Sequence, residues 1–147
     1  MHVPNMENEE VRVKEEVFEF KNGIPGFEQY NRYMIQSHDE YFSILQSVEN
    51  EGVAFIITNP FIFFNEYEFE LSDNDQELLG ITNIKDVVVR SIVTWGDDPT
   101  KTTTNLMAPI ILNVQNKRGR QVVLYPTPYN SKHPLLIQDS GKKGGEE

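Results

Sequence analysis

The chain contains no cysteine, which removes disulfide scaffolds, thiolate nucleophiles and zinc–thiolate centres. Histidine is scarce: His2, His38 and His133 lie far apart, and no two have the spacing of a metal site. No nucleophile elbow, phosphate-binding loop or dinucleotide fingerprint occurs. Long hydrophobic runs are missing too; the stretch 53–57 is far short of the ~20 apolar residues that cross a bilayer. No signal-peptide core follows Met1. Lys and Arg are absent from the whole interval between Tyr33 and Ile84. These absences set the expectation: a cytoplasmic protein that is not an enzyme, has no cofactor or metal and does not enter membranes.

What is present is acid. The net charge of -10 comes from 23 acidic and 13 basic residues. Ten of the acids (Asp39, Glu40, Glu49, Glu51, Glu66, Glu68, Glu70, Asp73, Asp75 and Glu77) occupy the interval without cations. The other 13 acids balance all 13 cations, so the middle third carries the whole net charge. Direct nucleic-acid binding needs a basic footprint and is not expected. A basic partner is, although acids also serve simple solubility.

The 147 residues suit one domain. Residues 1–10 read as a flexible N-terminal segment, 11–136 as the domain and 137–147 as a flexible tail. Within the domain, short strands alternate with turn residues. Alternation opens at 11–13 and returns in opposite phase at 18–20, which a β-bulge near Glu15 and Glu16 would explain. Pro25 and Gly26 fit the centre of a type II turn. Further strands are expected at 33–36, 41–47, 53–58, 66–71 and 86–95. A hairpin is expected from 105–115 and 121–125 around a tip at 116–119. Pro109 is placed near a strand start or edge. Ser72 and Asp75 have capping-box spacing and Gly80 suits a helix end, so one short helix is expected over 73–79. The pattern is all-β, mainly strand with one short helix, in a closed or nearly closed β-barrel.

Few motifs suggest chemistry. Asp73 and Asp75 mimic the opening of a calcium loop, but its turn glycine and closing glutamate are missing. Asp97 and Asp98 could chelate a cation; a solvated loop before Pro99 explains them more simply. Residues 59–64 (Asn-Pro-Phe-Ile-Phe-Phe) are more informative. If one strand ran from here to Leu71, Phe61 and Phe63 would face inward with Tyr67 and Phe69. Ile62 and Phe64 would then face outward beside Glu66, Glu68 and Glu70, as a partner-binding strip for an amphipathic basic helix. A bend at Asn65 would instead reset the phase and bury both.

An ordered set of short landmarks goes further: Phe18-Glu19-Phe20, Gly23-Ile24-Pro25-Gly26-Phe27-Glu28, Leu45-Gln46-Ser47, Ala54-Phe55-Ile56-Ile57, Asn59-Pro60, Tyr67-Glu68-Phe69, Ile92-Val93-Thr94, Asn105-Leu106-Met107-Ala108-Pro109-Ile110, Gly119-Arg120-Gln121-Val122-Val123-Leu124 and His133-Pro134-Leu135. Together they resemble the FliW family of bacterial flagellar assembly factors, over essentially the whole domain. Two positions depart from the pattern: Thr104 stands where alanine is usual and Lys132 where arginine is usual. The resemblance implies a small barrel-like fold and no catalytic residue. It implies two protein partners, flagellin and the dimeric RNA-binding repressor CsrA, which the flagellin-free protein sequesters so that flagellin mRNA is translated. The chain alone is expected to be a monomer. A competing reading is an oligosaccharide- or nucleotide-binding β-barrel module with a hydrolytic acid pair at Asp97 and Asp98. It lacks a positioned general acid.

Overall fold

The computed structural model of the chain describes residues 1–5 and 12–135. The expectations for residues 6–11 and for the tail at 137–147 lie outside the described residues. The strands in chain order are β1 (His2–Val3), β2 (Val17–Glu19), β3 (Arg32–Ser37), β4 (Phe42–Ser47), β5 (Ala54–Thr58), β6 (Phe69–Glu70), β7 (Val87–Thr94), β8 (Thr103–Thr104), β9 (Ile110–Asn113), β10 (Arg118–Gln121) and β11 (His133–Pro134). Two α-helical segments, α1 (Pro60–Phe63) and α2 (Asp73–Leu79), lie between β5 and β7.

Seven strands close on themselves in the order β7-β5-β4-β3-β2-β10-β9, with β9 pairing back onto β7. Every seam is antiparallel except β10–β2, which is parallel and rests on one register pair, Arg118 with Glu19. The expected barrel is therefore closed, and β8 and β11 extend its sheet beyond β7.

Side chains fill the interior from alternate positions of each strand. Phe18, Tyr33, Ile35, Leu45, Ile57, Val88, Ile110 and Leu112 form this inner core. The neighbours Val87, Val89 and Ile111 belong to a second core, on the outside of the barrel wall. β7 and β9 are thus covered on both faces, which explains their unbroken apolar runs in place of in–out alternation. What covers them is the acidic middle of the chain. Phe61, Tyr67, Phe69, Leu71, Leu79 and Ile81 lie on that outer wall, while Glu66, Glu68 and Glu70 remain exposed.

Local chemistry explains the turns and the helix. The Ser72 hydroxyl accepts the Asp75 N–H at 3.1 Å and starts α2. Gly80 ends it in the left-handed region, φ +66. Asp73 and Asp75 therefore sit in a helical first turn and form no calcium loop. Phe27 N–H donates to Ile24 O at 2.7 Å with Gly26 at φ +90, the type II geometry expected. Glu15 N–H donates to Ile35 O while Glu16 O accepts from Ile35 N–H. Two residues thus face one, with Glu15 at φ +61, and that is a bulge.

Four expectations need correction. Residues 12–15 form a turn leading into the bulge; the strand expected at 11–13 is not there, and Val11 lies outside the described residues. The strand expected at 66–71 pairs only through Phe69 and Glu70, against β1; its alternating burial holds without a ladder. That pairing orders His2 and Val3, and Val3 is fully buried, so the flexible segment does not include them. The hairpin is shorter and shifted, with its tip at 114–117. Gly119 lies in β10, paired with Leu112, and glycine is required there because a Cβ would meet the Phe20 ring at 2.6 Å.

Candidate protein-binding face

The segment 59–64 is neither the outward strip nor the bent strand. Asn59 Oδ1 accepts Phe61 N–H at 3.0 Å, Pro60 occupies the first helical position, and Phe64 N–H closes the turn on Pro60 O at 2.8 Å. An Asn cap followed by proline favours a helical start over a strand. In a helical turn, residues two apart do not share a face. Phe61 is buried on the outer core, and Phe63 and Phe64 are half-buried against Phe42, Val93 and Leu135. Ile62 alone projects, 46% exposed.

The proposed strip is thereby divided. Phe64 turns toward the His133 ring, with centroids 5.8 Å apart. Glu68 Oε1 lies 2.5 Å from His2 Nε2, and Glu70 Oε1 lies 3.7 Å from the Met1 ammonium. Those two acids face β1 and its end, while Glu66 is exposed in the loop after α1.

Ile62 instead joins residues that the strand reading did not single out. Asp39 Oδ1 accepts the N–H groups of Tyr41 and Phe42, at 2.8 and 2.9 Å, and sets the turn into β4. Tyr41 then stands 43% exposed with its ring 6.0 Å from that of Phe63. Phe42 lies 4.9 Å from Trp95, edge to face, and Trp95 is 52% exposed. Two depressions that share Ser43 adjoin this aromatic row. One, of about 180 Å³, is lined by Asp39, Glu40, Tyr41, Thr58, Ile62 and buried Arg90. The other, of about 190 Å³, is lined by His38, Phe42, Ile44, Ile56 and Trp95. The signal in the sequence was parity: with Leu45 and Ile57 inside the barrel, Ile44 and Ile56 must point out.

Chemistry elsewhere is structural. Asp98 accepts the Thr100 N–H at 2.9 Å and caps a short turn at Pro99–Lys101. His133 is held neutral more strongly than an ordinary histidine, because burial lowers its pKa. The Tyr67 phenol donates to Leu106 O at 2.8 Å, and burial pushes its pKa upward. Among the described residues no group of three His, Cys, Asp or Glu could hold a metal ion. No helix there is long and apolar enough to cross a membrane.

A closed seven-stranded barrel with an aromatic, acid-edged outer face defines the class: a small β-barrel that offers a broad side-chain surface. The model of the FliW protein family matches residues 4–135. The flagellar assembly factor FliW of Bacillus subtilis (strain 168) is 46% identical over 129 residues, 86% of this chain and 90% of that protein. That of Clostridium botulinum (strain Alaska E43 / Type E3) is 45% identical over 122 residues, 82% of this chain and 86% of that protein. A crystal structure of the flagellar assembly factor FliW superposes with a TM-score of 0.80 at 37% identity, covering 91% of this chain and 92% of that one. The chain belongs to the FliW family of flagellar assembly factors. Its departure at Thr104 is accommodated: the buried hydroxyl lies 2.7 Å from Ser91 Oγ and 2.9 Å from Ile92 O.

Proposed function

We propose that this flagellar assembly factor is a cytoplasmic, non-enzymatic binding protein that holds flagellin and, when free of it, sequesters CsrA so that flagellin mRNA is translated. The observation that carries the reading is the family match over residues 4–135. The ten acids without a cation between Tyr33 and Ile84 support it, since they give a field suited to basic partners. Alone, the chain is a monomer in this reading. The oligosaccharide or nucleotide reading has no comparable support, because Asp98 is occupied in capping a turn.

Flagellin and CsrA share the surface. A single barrel needs only steric exclusion for the exchange, whereas separate sites would need ~1–3 kcal/mol of coupling between them. Charge assists the release of RNA from CsrA, but only modestly. One carboxylate about 10 Å from a phosphate contributes ~0.4 kcal/mol in water before screening. Size-exclusion chromatography of the chain with each purified partner, then with both, tests the proposal. Binary complexes and no three-component species are expected. Failure to bind either partner would overturn the function, and a stable ternary species would overturn the shared surface.

A further inference from the structure

The outer faces of this barrel are treated unequally. Over β7 and β9 the acidic middle segment lays down a second core. Over β4 and β5 there is no such layer among the described residues: Ile44 and Ile56, register partners across the seam, open into the depression beside Trp95. Phe42, Phe63, Tyr41 and Ile62 continue the apolar surface toward α1.

We infer that this face, centred on Trp95, Tyr41 and Ile62, docks an amphipathic helix that presents bulky aliphatic side chains flanked by Lys or Arg. The inference rests on the partner-binding reading above and names the chemistry of the occupant. Secondary structure is decided by backbone supply. β4 lies between β3 and β5, β5 between β4 and β7, and β7 is paired on both sides. These three strands leave no free edge under the face, and the open edge of the sheet, β11, lies beyond β8, so an extended peptide laid across β4 and β5 would bury its own N–H and C=O groups without partners. A helix satisfies its backbone internally and needs only side-chain contacts. The two depressions adjoin at Ser43, which lines both, with Tyr41 in one and Phe42 in the other, and so suit successive anchors on one helix face.

Charge decides the flanking residues. Asp39 and Glu40 line the depression beside Ile62, and Asp97 and Asp98 follow Trp95 in the chain. Lys101 is the cation of the Trp95 loop, Arg90 lies buried in the lining of the depression beside Ile62 under the two exposed acids Asp39 and Glu40, and Lys or Arg is absent from β4, β5 and α1. A helix with aliphatic anchors and acidic flanks would meet like charge; one with basic flanks meets opposite charge.

Trp95 is the single tryptophan and stands in the face, so its emission reports occupancy directly. The probes are two 18-residue amphipathic helical peptides, one of Leu and Lys and one of Leu and Glu. The Leu/Lys peptide should shift Trp95 emission to the blue with 1:1 saturation, and the Leu/Glu peptide should not. Ile62→Ser and Tyr41→Ser should each weaken the Leu/Lys peptide at least tenfold with unchanged thermal unfolding. Val123→Ser, at an exposed apolar residue outside this face, should leave it unchanged. Equal binding of both peptides, or equal loss in Val123→Ser, would overturn the inference. So would a blue shift that grows with protein concentration alone, which would make the occupant a second copy of the chain. The same variants titrated with flagellin and CsrA separate the two claims. Tight binding with unaltered Trp95 emission and no effect of Ile62→Ser would sink this site and spare the function. A peptide that binds while neither protein does would sink the function and spare the site.

Discussion

Gly119→Ala offers the sharpest test of how the barrel closes. The added Cβ would lie 2.6 Å from Cε1 and Cζ of Phe20 and 2.9 Å from a methyl of Leu112. Ordinary carbon–carbon contact needs about 3.5–4.0 Å, so roughly an ångström of movement is required. Phe20 cannot easily supply it: the ring is fully buried and meets Tyr33 edge to face at 5.2 Å. β10 cannot easily supply it either, because an antiparallel ladder of four register pairs, Gly119 with Leu112 among them, ties it to β9. Overpacking of this kind costs ~1–3 kcal/mol, offset by about 0.4–1 kcal/mol from a stiffer unfolded chain. A net loss of ~1–2 kcal/mol corresponds to roughly 2–8 °C in a domain of this size. Thermal and urea unfolding followed by Trp95 emission measure it. Gly26→Ala is the comparison: its Cβ meets nothing within 4 Å but its φ is +90, so it carries only a backbone cost of ~1–2 kcal/mol. The discriminating measurement is the double variant. In a Phe20→Leu background the Gly119→Ala penalty should shrink by ~1 kcal/mol, since the clashing atoms are gone. An undiminished penalty there, or a melting temperature equal to wild type in the single variant, refutes the steric account.

Two buried tyrosines should respond to loss of the hydroxyl in opposite directions. Tyr67→Phe leaves Leu106 O without its 2.8 Å donor and should cost ~1–3 kcal/mol in denaturant unfolding at neutral pH. Tyr33 Oη is buried with no hydrogen-bond partner among the described residues, so Tyr33→Phe should be neutral or stabilising by up to ~1 kcal/mol. The raised pKa of Tyr67 adds a pH dependence: the unfolded phenol ionises near 10 while the folded one stays protonated. Its contribution is fully present below pH 10 and falls above it by ~1.4 kcal/mol per unit, a slope that Tyr67→Phe should lessen. Ser72→Ala removes the cap of α2 and should cost ~1 kcal/mol in the same assay.

The fold was legible in the sequence wherever local chemistry and tertiary burial agree. Ser72, Asp75 and Gly80 delimit α2 by their own hydrogen bonds and backbone freedom, so no knowledge of neighbours was needed. The same holds for the Pro25–Gly26 turn. Alternation over 66–71 does not mark a ladder. Tyr67, Phe69 and Leu71 alternate with Glu66, Glu68 and Glu70 because the segment lies on the barrel wall with one side down. Burial alone produces that pattern, and only Phe69 and Glu70 have a β partner. Residues 59–64 mislead for another reason. Four apolar residues in a row read as strand, but the Asn-Pro pair ahead of them sets a helical turn, and local capping outweighs periodicity.

The helical turn at 60–63 also divides the candidate surface. A strand would have put Ile62 and Phe64 together with the acids of 66–70; the helical turn separates them, and Glu68 and Glu70 go to β1. Ile62 finds its company across the fold, in Tyr41, Phe42 and Trp95, residues 20 to 33 positions away in sequence that only barrel closure brings near. An acidic segment that covers β7 and β9 with its apolar side also ends, at α1, beside a face it does not cover. That boundary follows from chain length and register. α1 follows directly from β5 and the polypeptide then departs over β7, so the outer isoleucines of β4 and β5 are left to whatever the acids around them attract. The location of a binding face is here a by-product of where the covering segment runs out, and it moves with α1. Lengthening α1 by a turn, or removing its Asn59 cap, would alter the exposed face without touching a residue of the barrel interior.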